Sequence, residues 1–268
     1  MVNTISILGC GWLGFPLALH LLTKGYTIKG STTSTDKLQV LKENGIIPYH
    51  IVLNPVEAAP GDFYHSDLLI INIPPSSATK SGTTHMEQMK GVASEIRRHG
   101  IKKVIFISST SVYANVNTEV TEADVYLADD HILLHVENLL KNIDQCTVTI
   151  LRCAGLMGYN RVPGKYFKGK KALDTGEIPV NYIHRDDVVA IIARVIEEEP
   201  GDSPFNVVAP LHPKRKDVYI RNAKDFEFEA PTFVIGKPTP FKIVNGDKLS
   251  QRLDYHFKYP NPMEFYAT

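Results

Sequence analysis

Short apolar runs alternate with longer amphipathic stretches through most of the first 155 residues. The runs Ile5–Leu8, Tyr26–Gly30, Ile46–Leu53, Asp67–Ile73, Lys102–Ser108 and Thr147–Cys153 read as strands. Two of them, "DLLIINI" and "KKVIFIS", are nearly continuous in apolar residues, as expected of strands buried on both faces of a parallel sheet. Between them, Pro16–Leu22, Asp36–Asn44, Thr84–His99 and Asp129–Asn142 carry helical spacing, the first two closed by Lys24-Gly25 and Asn44-Gly45. Pro48 weakens the third strand. Strands and helices alternating through most of this stretch imply right-handed crossovers and an α/β fold with a doubly wound parallel sheet. Beyond Gly155 the pattern loosens. Tyr159–Val180 reads as a loop, Asp186–Glu198 as a helix, Phe205–Val208 as a last strand, and Pro210–Thr268 as polar, proline-dotted and irregular.

Composition narrows the function classes. At 268 residues the chain can bury a substantial core. Its 29 Lys plus Arg balance 29 Asp plus Glu, so no global field draws it to nucleic acid or to an anionic membrane. No nucleic-acid partner and no membrane partner are expected, and no apolar stretch approaches a membrane span. Cys10, Cys146 and Cys153 lack C-x-x-C or metal-ligand spacing and read as thiols in a reducing compartment. Met1–Leu8 has no basic n-region and reads as a first strand. The expected location is cytoplasmic.

The sharpest motif is Gly9-Cys10-Gly11-Trp12-Leu13-Gly14, a G-x-G-x-x-G that follows a strand and opens a helix. The first glycine permits a tight turn, the second lets backbone approach a pyrophosphate, and the third lets helix pack on strand. The helix N-terminus then offers N–H groups to the anion. An NAD site usually places Asp or Glu at the end of the second strand to take the ribose 2′-hydroxyl. Here the sequence reads Gly30-Ser31-Thr32-Thr33-Ser34, with Lys37 close behind. That favours NADP, with NAD as the alternative. A blander reading is that Ser31–Thr35 caps the next helix. Pro74, after the fourth strand, and Ser108, ending the fifth, join Gly9, Gly11, Trp12, Leu13, Gly14, Ser31, Thr32 and Thr33 as cofactor candidates. No metal site is expected.

The segments "FISSTSVYA" (106–114), "LRCAGLMGYN" (151–160) and "NYIHRDDVV" (181–189), with the glycine turn, carry a resemblance. The chain resembles the extended short-chain dehydrogenase/reductases, the NAD(P)-dependent epimerase/dehydratase family, and most of all an atypical branch with G-x-G-x-x-G. The resemblance spans nearly the whole chain and implies an NAD(P)-binding Rossmann core at 1–158, completed by 181–209. Residues 159–180 and 210–268 would form a small C-terminal substrate-side subdomain. It also implies that Ser109, four residues before Tyr113, hydrogen-bonds the substrate oxygen. In the family a Tyr-x-x-x-Lys pair then moves the proton, the lysine lowering the phenol pKa. If Glu137 marks the glutamate that follows that lysine by four, Leu133 stands at the Lys position and Asp129 at the Tyr position. Tyr126, three residues early, and Tyr113 are the remaining phenol candidates.

Each has a plainer reading. Tyr113 also suits a buried ring with a satisfied hydroxyl, and Asp130 would raise the pKa of Tyr126. His184 and Asp187 read as braces. Ser109 with His131 or His135 lacks a G-x-S-x-G elbow and does not read as a hydrolase. Arg161, Lys165, Lys168, Lys170 and Lys171, interleaved with Tyr166 and Phe167, suit either a phosphorylated substrate or a solvated loop. Two functions stay open: an NAD(P)-dependent oxidoreductase or epimerase acting on a small polar or nucleotide-sugar-like substrate, and a catalytically inactive NADP(H)-binding sensor. Helices of the Rossmann core are candidates for a homodimer interface.

Overall fold

The computed structural model describes residues 2–53, 61–75, 83–124, 128, 130–201, 203–234, 236 and 238–266. In chain order the elements are β1 (Thr4–Leu8), α1 (Gly14–Thr23), β2 (Thr27–Thr32), α2 (Asp36–Glu43), β3 (Ile47–His50), β4 (Leu68–Ile71), α3 (Thr83–His99) and β5 (Lys103–Ser109). Then follow β6 (Glu119–Val120), α4 (Ile132–Lys141), β7 (Thr147–Cys153), β8 (Gly155–Met157), β9 (Tyr182–His184), α5 (Arg185–Glu198), β10 (Pro204–Val207), α6 (Arg215–Asp225), β11 (Ile243–Val244) and α7 (Asp247–Leu253). Seven strands form one sheet in the order β10-β7-β5-β4-β1-β2-β3. Its parallel registers include Ile5↔Leu68, Ile7↔Gly30, Ile70↔Ile105 and Gly30↔Pro48. This is the doubly wound α/β sheet that the alternating pattern implies.

The reasons are local. All four residues of β4 are buried, as a central parallel strand requires. β3 lies at the sheet's edge, which is where a strand containing Pro48 can sit without costing a ladder hydrogen bond. α1 buries Gly14, Leu17, Ala18 and Leu21 on one stripe, spaced three and four apart.

By packing, the chain divides into two compact units. The first comprises Met1–Ser108, Asp129–Leu151 and Ile192–Pro204; the second comprises Ser109–Ala128, Arg152–Ile191 and Phe205–Thr268. The second unit has two small parallel pairings, β6 with β11 and β8 with β9. Its core includes Val180, Val218 and Tyr219, flanked by Phe167, Tyr182, Phe233 and Met263.

Here the expectation of an irregular tail is corrected: 210–268 contains α6 and α7. α6 buries only Val218, Tyr219, Asn222 and Ala223 among eleven residues, so its apolar face is two short steps wide. The "NPMEF" end of the chain also turns regular, with Asn261 Oδ1 accepting from Met263 N at 3.1 Å.

Candidate functional site

The glycine turn of the first unit is built almost entirely from backbone. Gly9 has φ +107°, and a Cβ there would stand 2.6 Å from the Asn72 carbonyl oxygen. A Cβ on Gly14 would stand 2.2 Å from Gly9 O. Neither position tolerates a side chain, for conformational reasons at Gly9 and for space at both. At Gly11, by contrast, a Cβ would meet no atom within 4 Å, which leaves the room a pyrophosphate needs. α1 begins directly after the turn with no side-chain cap and no acidic residue in its first turn. At its head Phe15 N donates to Gly11 O at 3.0 Å and Pro16 has no N–H, so among the described residues Gly14 N is the first-turn donor of the helix left for an anion.

Two side chains pin the turn. Ser31 Oγ accepts from Gly9 N at 2.8 Å, while Asn72 Nδ2 donates to Gly9 O at 2.9 Å. The backbone adds Cys10 N to Ser31 O, 2.8 Å. Asn72 escaped the sequence reading; its one signal is a lone amide closing the apolar run of β4, where the chain leaves the sheet.

A cavity of about 440 Å³ opens at this turn. It brings together Gly9, Gly11, Ser31, Thr32, Thr33 and Pro74 from the sequence-predicted set, and adds Lys37, Asn72 and Gln88. Trp12, Leu13, Gly14 and Ser108 do not line it. Leu13 and Gly14 are buried, acting through the shape of the turn. Ser108 Oγ donates to Glu137 at 2.7 Å, both buried, tying β5 to α4. No carboxylate lines the cavity, and Lys37 is its one cation among the described residues. Thr32 Oγ1 accepts from Ser34 N, and α2 has no side-chain cap, so the Ser/Thr run does not cap that helix. Cys10 sits in the wall with its thiol pushed up to about 12 by burial, which leaves it unreactive.

The second unit holds its own cavity, about 340 Å³, lined among others by Ser109, Ser111, Asn115, Tyr182, Arg215 and Lys242. Ser109 closes β5 and caps the short turn Thr110–Val112, its Oγ accepting from Ser111 N at 3.1 Å. Among the described residues no acceptor takes its hydroxyl proton. Tyr113 is 1% exposed. Its hydroxyl accepts from Arg152 Nη1 at 2.8 Å and donates to Asn206 Oδ1 at 2.9 Å. Burial raises its pKa, with Arg152 opposing. Tyr126 and Asp129 lie outside the described residues. Leu133 is buried in the first turn of α4, whose start is capped by His131 Nδ1 accepting from Leu133 N. His135 pairs with Asp130 at 2.8 Å on the surface.

His184 and Asp187 brace the second unit. The fully buried Asp187 carboxylate accepts from Tyr255 OH, Lys258 N and Tyr259 N at 2.8–3.0 Å. His184 packs on Tyr259 at 3.8 Å between ring centroids. The basic run is absent from the lining of the second unit's cavity: Lys171 pairs with Glu229, and Lys165 and Lys170 lie over Phe226 and Phe167. Among the described residues, no group of three or more His, Cys, Asp or Glu is placed to hold a metal. No described helix is long and apolar enough to cross a membrane.

A Rossmann sheet with an anion-ready glycine turn defines a dinucleotide-binding protein. The chain belongs to the family described as NAD(P)H-binding, which matches residues 10–199. It is similar to Protein YeeZ of Escherichia coli strain K12, 31% identical over 270 residues and covering 98% of each chain. UDP-N-acetylglucosamine 4-epimerase from Bacillus cereus superposes with a TM-score of 0.78 at 14% identity, over 98% of this chain and 97% of that one. MoeE5 in complex with UDP-glucose and NAD gives 0.76 at 13% identity, over 98% and 96%. The fold is thus epimerase/dehydratase-like, as the sequence segments implied.

Proposed function

We propose that the protein is an NADP(H)-dependent oxidoreductase or epimerase-like enzyme acting in the cytoplasm on a small polar substrate held in the Ser109 cavity. The observation that carries the reading is the first unit's cavity: open at Gly11, headed by an uncapped α1, and free of carboxylate where an NAD site usually has one. Gly9, Gly11 and the α1 N-terminus would hold the pyrophosphate, and Thr33 with Lys37 a 2′-phosphate. The nicotinamide supplies hydride transfer when bound. NAD in the MoeE5 complex supports a nicotinamide cofactor of either kind; the Lys37 rim favours the phosphorylated one. The three unpaired thiols suit a reducing compartment.

Ser109 would hydrogen-bond the reacting oxygen through its uncommitted proton. Tyr113 is read as a positioning residue, because its one hydroxyl proton is committed to Asn206 and its ring is buried. The test is direct titration: NADPH fluorescence with purified protein, then a carbonyl panel followed at the absorbance of the reduced nicotinamide. NADH binding tighter than NADPH overturns the cofactor assignment. Turnover lost in Ser109→Ala with NADPH binding intact supports the enzyme. A second reading, a sensor that binds NADP(H) without turnover, is favoured by the buried Leu133 where the family's lysine would stand. A panel that stays at blank with NADPH bound selects it.

A further inference from the structure

Among the described residues, the 340 Å³ cavity of the second unit is lined by two cations and no carboxylate. Lys242 and Arg215 both line it, from the loop before β11 and from the first residue of α6. Lys242 Nζ donates to the Tyr113 main-chain oxygen, a neutral acceptor that leaves its charge uncompensated. Arg215 Nε is buried with no hydrogen-bond partner among the described residues. Both side chains are half-buried, and native proteins rarely leave a buried donor such as this Nε unmatched.

The contrast with neighbouring cations is sharp. Lys214 and Lys216, flanking Arg215 in sequence, both pair with Glu177, and Arg221 pairs with Asp225. The nearest acid in the β6–β11 pairing, Glu119, accepts instead from Asn245 Nδ2. Tyr182, which lines the same cavity, shares its hydroxyl with Tyr219. Burial lowers the Lys242 pKa, and an anion bound beside it would favour the charged form again.

We propose that this cavity binds a compact phosphomonoester, with Lys242 and Arg215 holding the phosphate and Ser109, Ser111 and Asn115 facing the hydroxyls of the rest. Charge selects the class. A phosphomonoester carries about −1.5 to −2 near neutral pH, which matches two cations; a single carboxylate leaves one unmatched. The guanidinium adds a planar fork suited to phosphate oxygens. The volume, near the lower end of the about 300–1,000 Å³ of small-molecule sites, suits a compact ligand. The inference deepens the reading of the Ser109 cavity as the substrate site and rests on it.

The experiment combines calorimetry with amine labelling. Inorganic phosphate and glucose 6-phosphate are titrated into the full chain, beside UDP-glucose, and acetylation of each lysine by acetic anhydride is followed by mass spectrometry. Phosphate should slow acetylation of Lys242 and leave the exposed Lys168 unchanged. Lys242→Met and Arg215→Gln should each weaken both phosphates by about tenfold or more, while Lys242→Arg retains most of the affinity. Two results overturn the proposal: no phosphate protection of wild-type Lys242, which needs no variant to fold, or UDP-glucose binding tighter than glucose 6-phosphate. NADPH fluorescence on the same samples keeps the two claims apart. Failure of NADPH to bind sinks the cofactor reading and leaves the labelling result to decide this one.

Discussion

The two cavities are made of different material. In the first unit the glycine turn is backbone and empty space: Gly9 and Gly14 matter because nothing fits on them, and Gly11 because nothing stands beside it. In the second unit the cavity is made of side chains that come from Ser109, Tyr182, Arg215 and Lys242, spread over half the chain. The first is therefore broken by adding atoms and the second by removing them. That difference also separates a generic function, seating a dinucleotide, from a specific one, choosing what is brought to it.

The largest effect should come from adding one carbon. Gly14→Ala puts a Cβ against the Gly9 carbonyl, which cannot move without releasing Asn72 and Ser31. Overpacking of this kind costs about 1–3 kcal/mol, visible in chemical denaturation, and NADPH binding should be lost outright. If NADPH affinity survives, the cradle is not at this turn.

Next is removal of one charge from the second unit. Asp187→Asn keeps the shape but turns an amide toward Tyr255, Lys258 and Tyr259, leaving an N–H facing donors. Hydrogen bonds to charged groups are worth about 1.5–3 kcal/mol, so hydrogen exchange should rise across residues 255–259. NADPH binding should stay near wild type. A parallel loss of both would mean that the two units do not behave separately.

A smaller change sharpens the cofactor side. Lys37→Gln should weaken NADPH by about fivefold, in keeping with an exposed charge contact of about 1 kcal/mol, and leave NADH unchanged. Equal losses for both would move Lys37 away from the 2′-phosphate.

The mildest test is pH. Burial lowers the pKa of His85, His184 and His212. His184 Nδ1 accepts from Asp186 N, a bond only the unprotonated ring can make. Their neutral forms are favoured in the folded chain, so the unfolded chain takes up protons first as pH falls through the ordinary value of 6.5. Stability should be full above that pH and decline below it, by at most about 1.4 kcal/mol per histidine per pH unit. Denaturation midpoints from pH 7.5 to 5 would show the slope, and His184→Gln should flatten it.

The same contrast explains what the sequence disclosed. β4, β5 and β7 announce themselves because a strand buried on both faces is largely apolar, and α1 because its stripe meets a glycine motif. The rim residues Ser31, Thr32 and Thr33 follow from counting along β2. Asn72 was hidden, since one amide after an apolar run carries no period. α6 was hidden because it buries so little that its pattern looks polar. Arg215 and Lys242 were hidden for a third reason: a cation's significance here lies in the absence of a nearby acid, and only the folded chain shows which acids are near. Of the lysines that stood out in sequence, Lys165, Lys170 and Lys171 turned out to have partners of their own outside the cavity.

The Ser31 hydroxyl has a consequence for anyone redesigning the coenzyme preference. The usual exchange places an acidic residue at the end of the second strand, yet here that position also clamps the Gly9 amide from 2.8 Å. A longer carboxylate at 31 would alter the phosphate cradle while altering the ribose contact, so the two traits cannot be tuned independently there. Thr33 and Lys37 line the same cavity without holding the turn, and they are where a preference could be rewritten while the cradle stays intact.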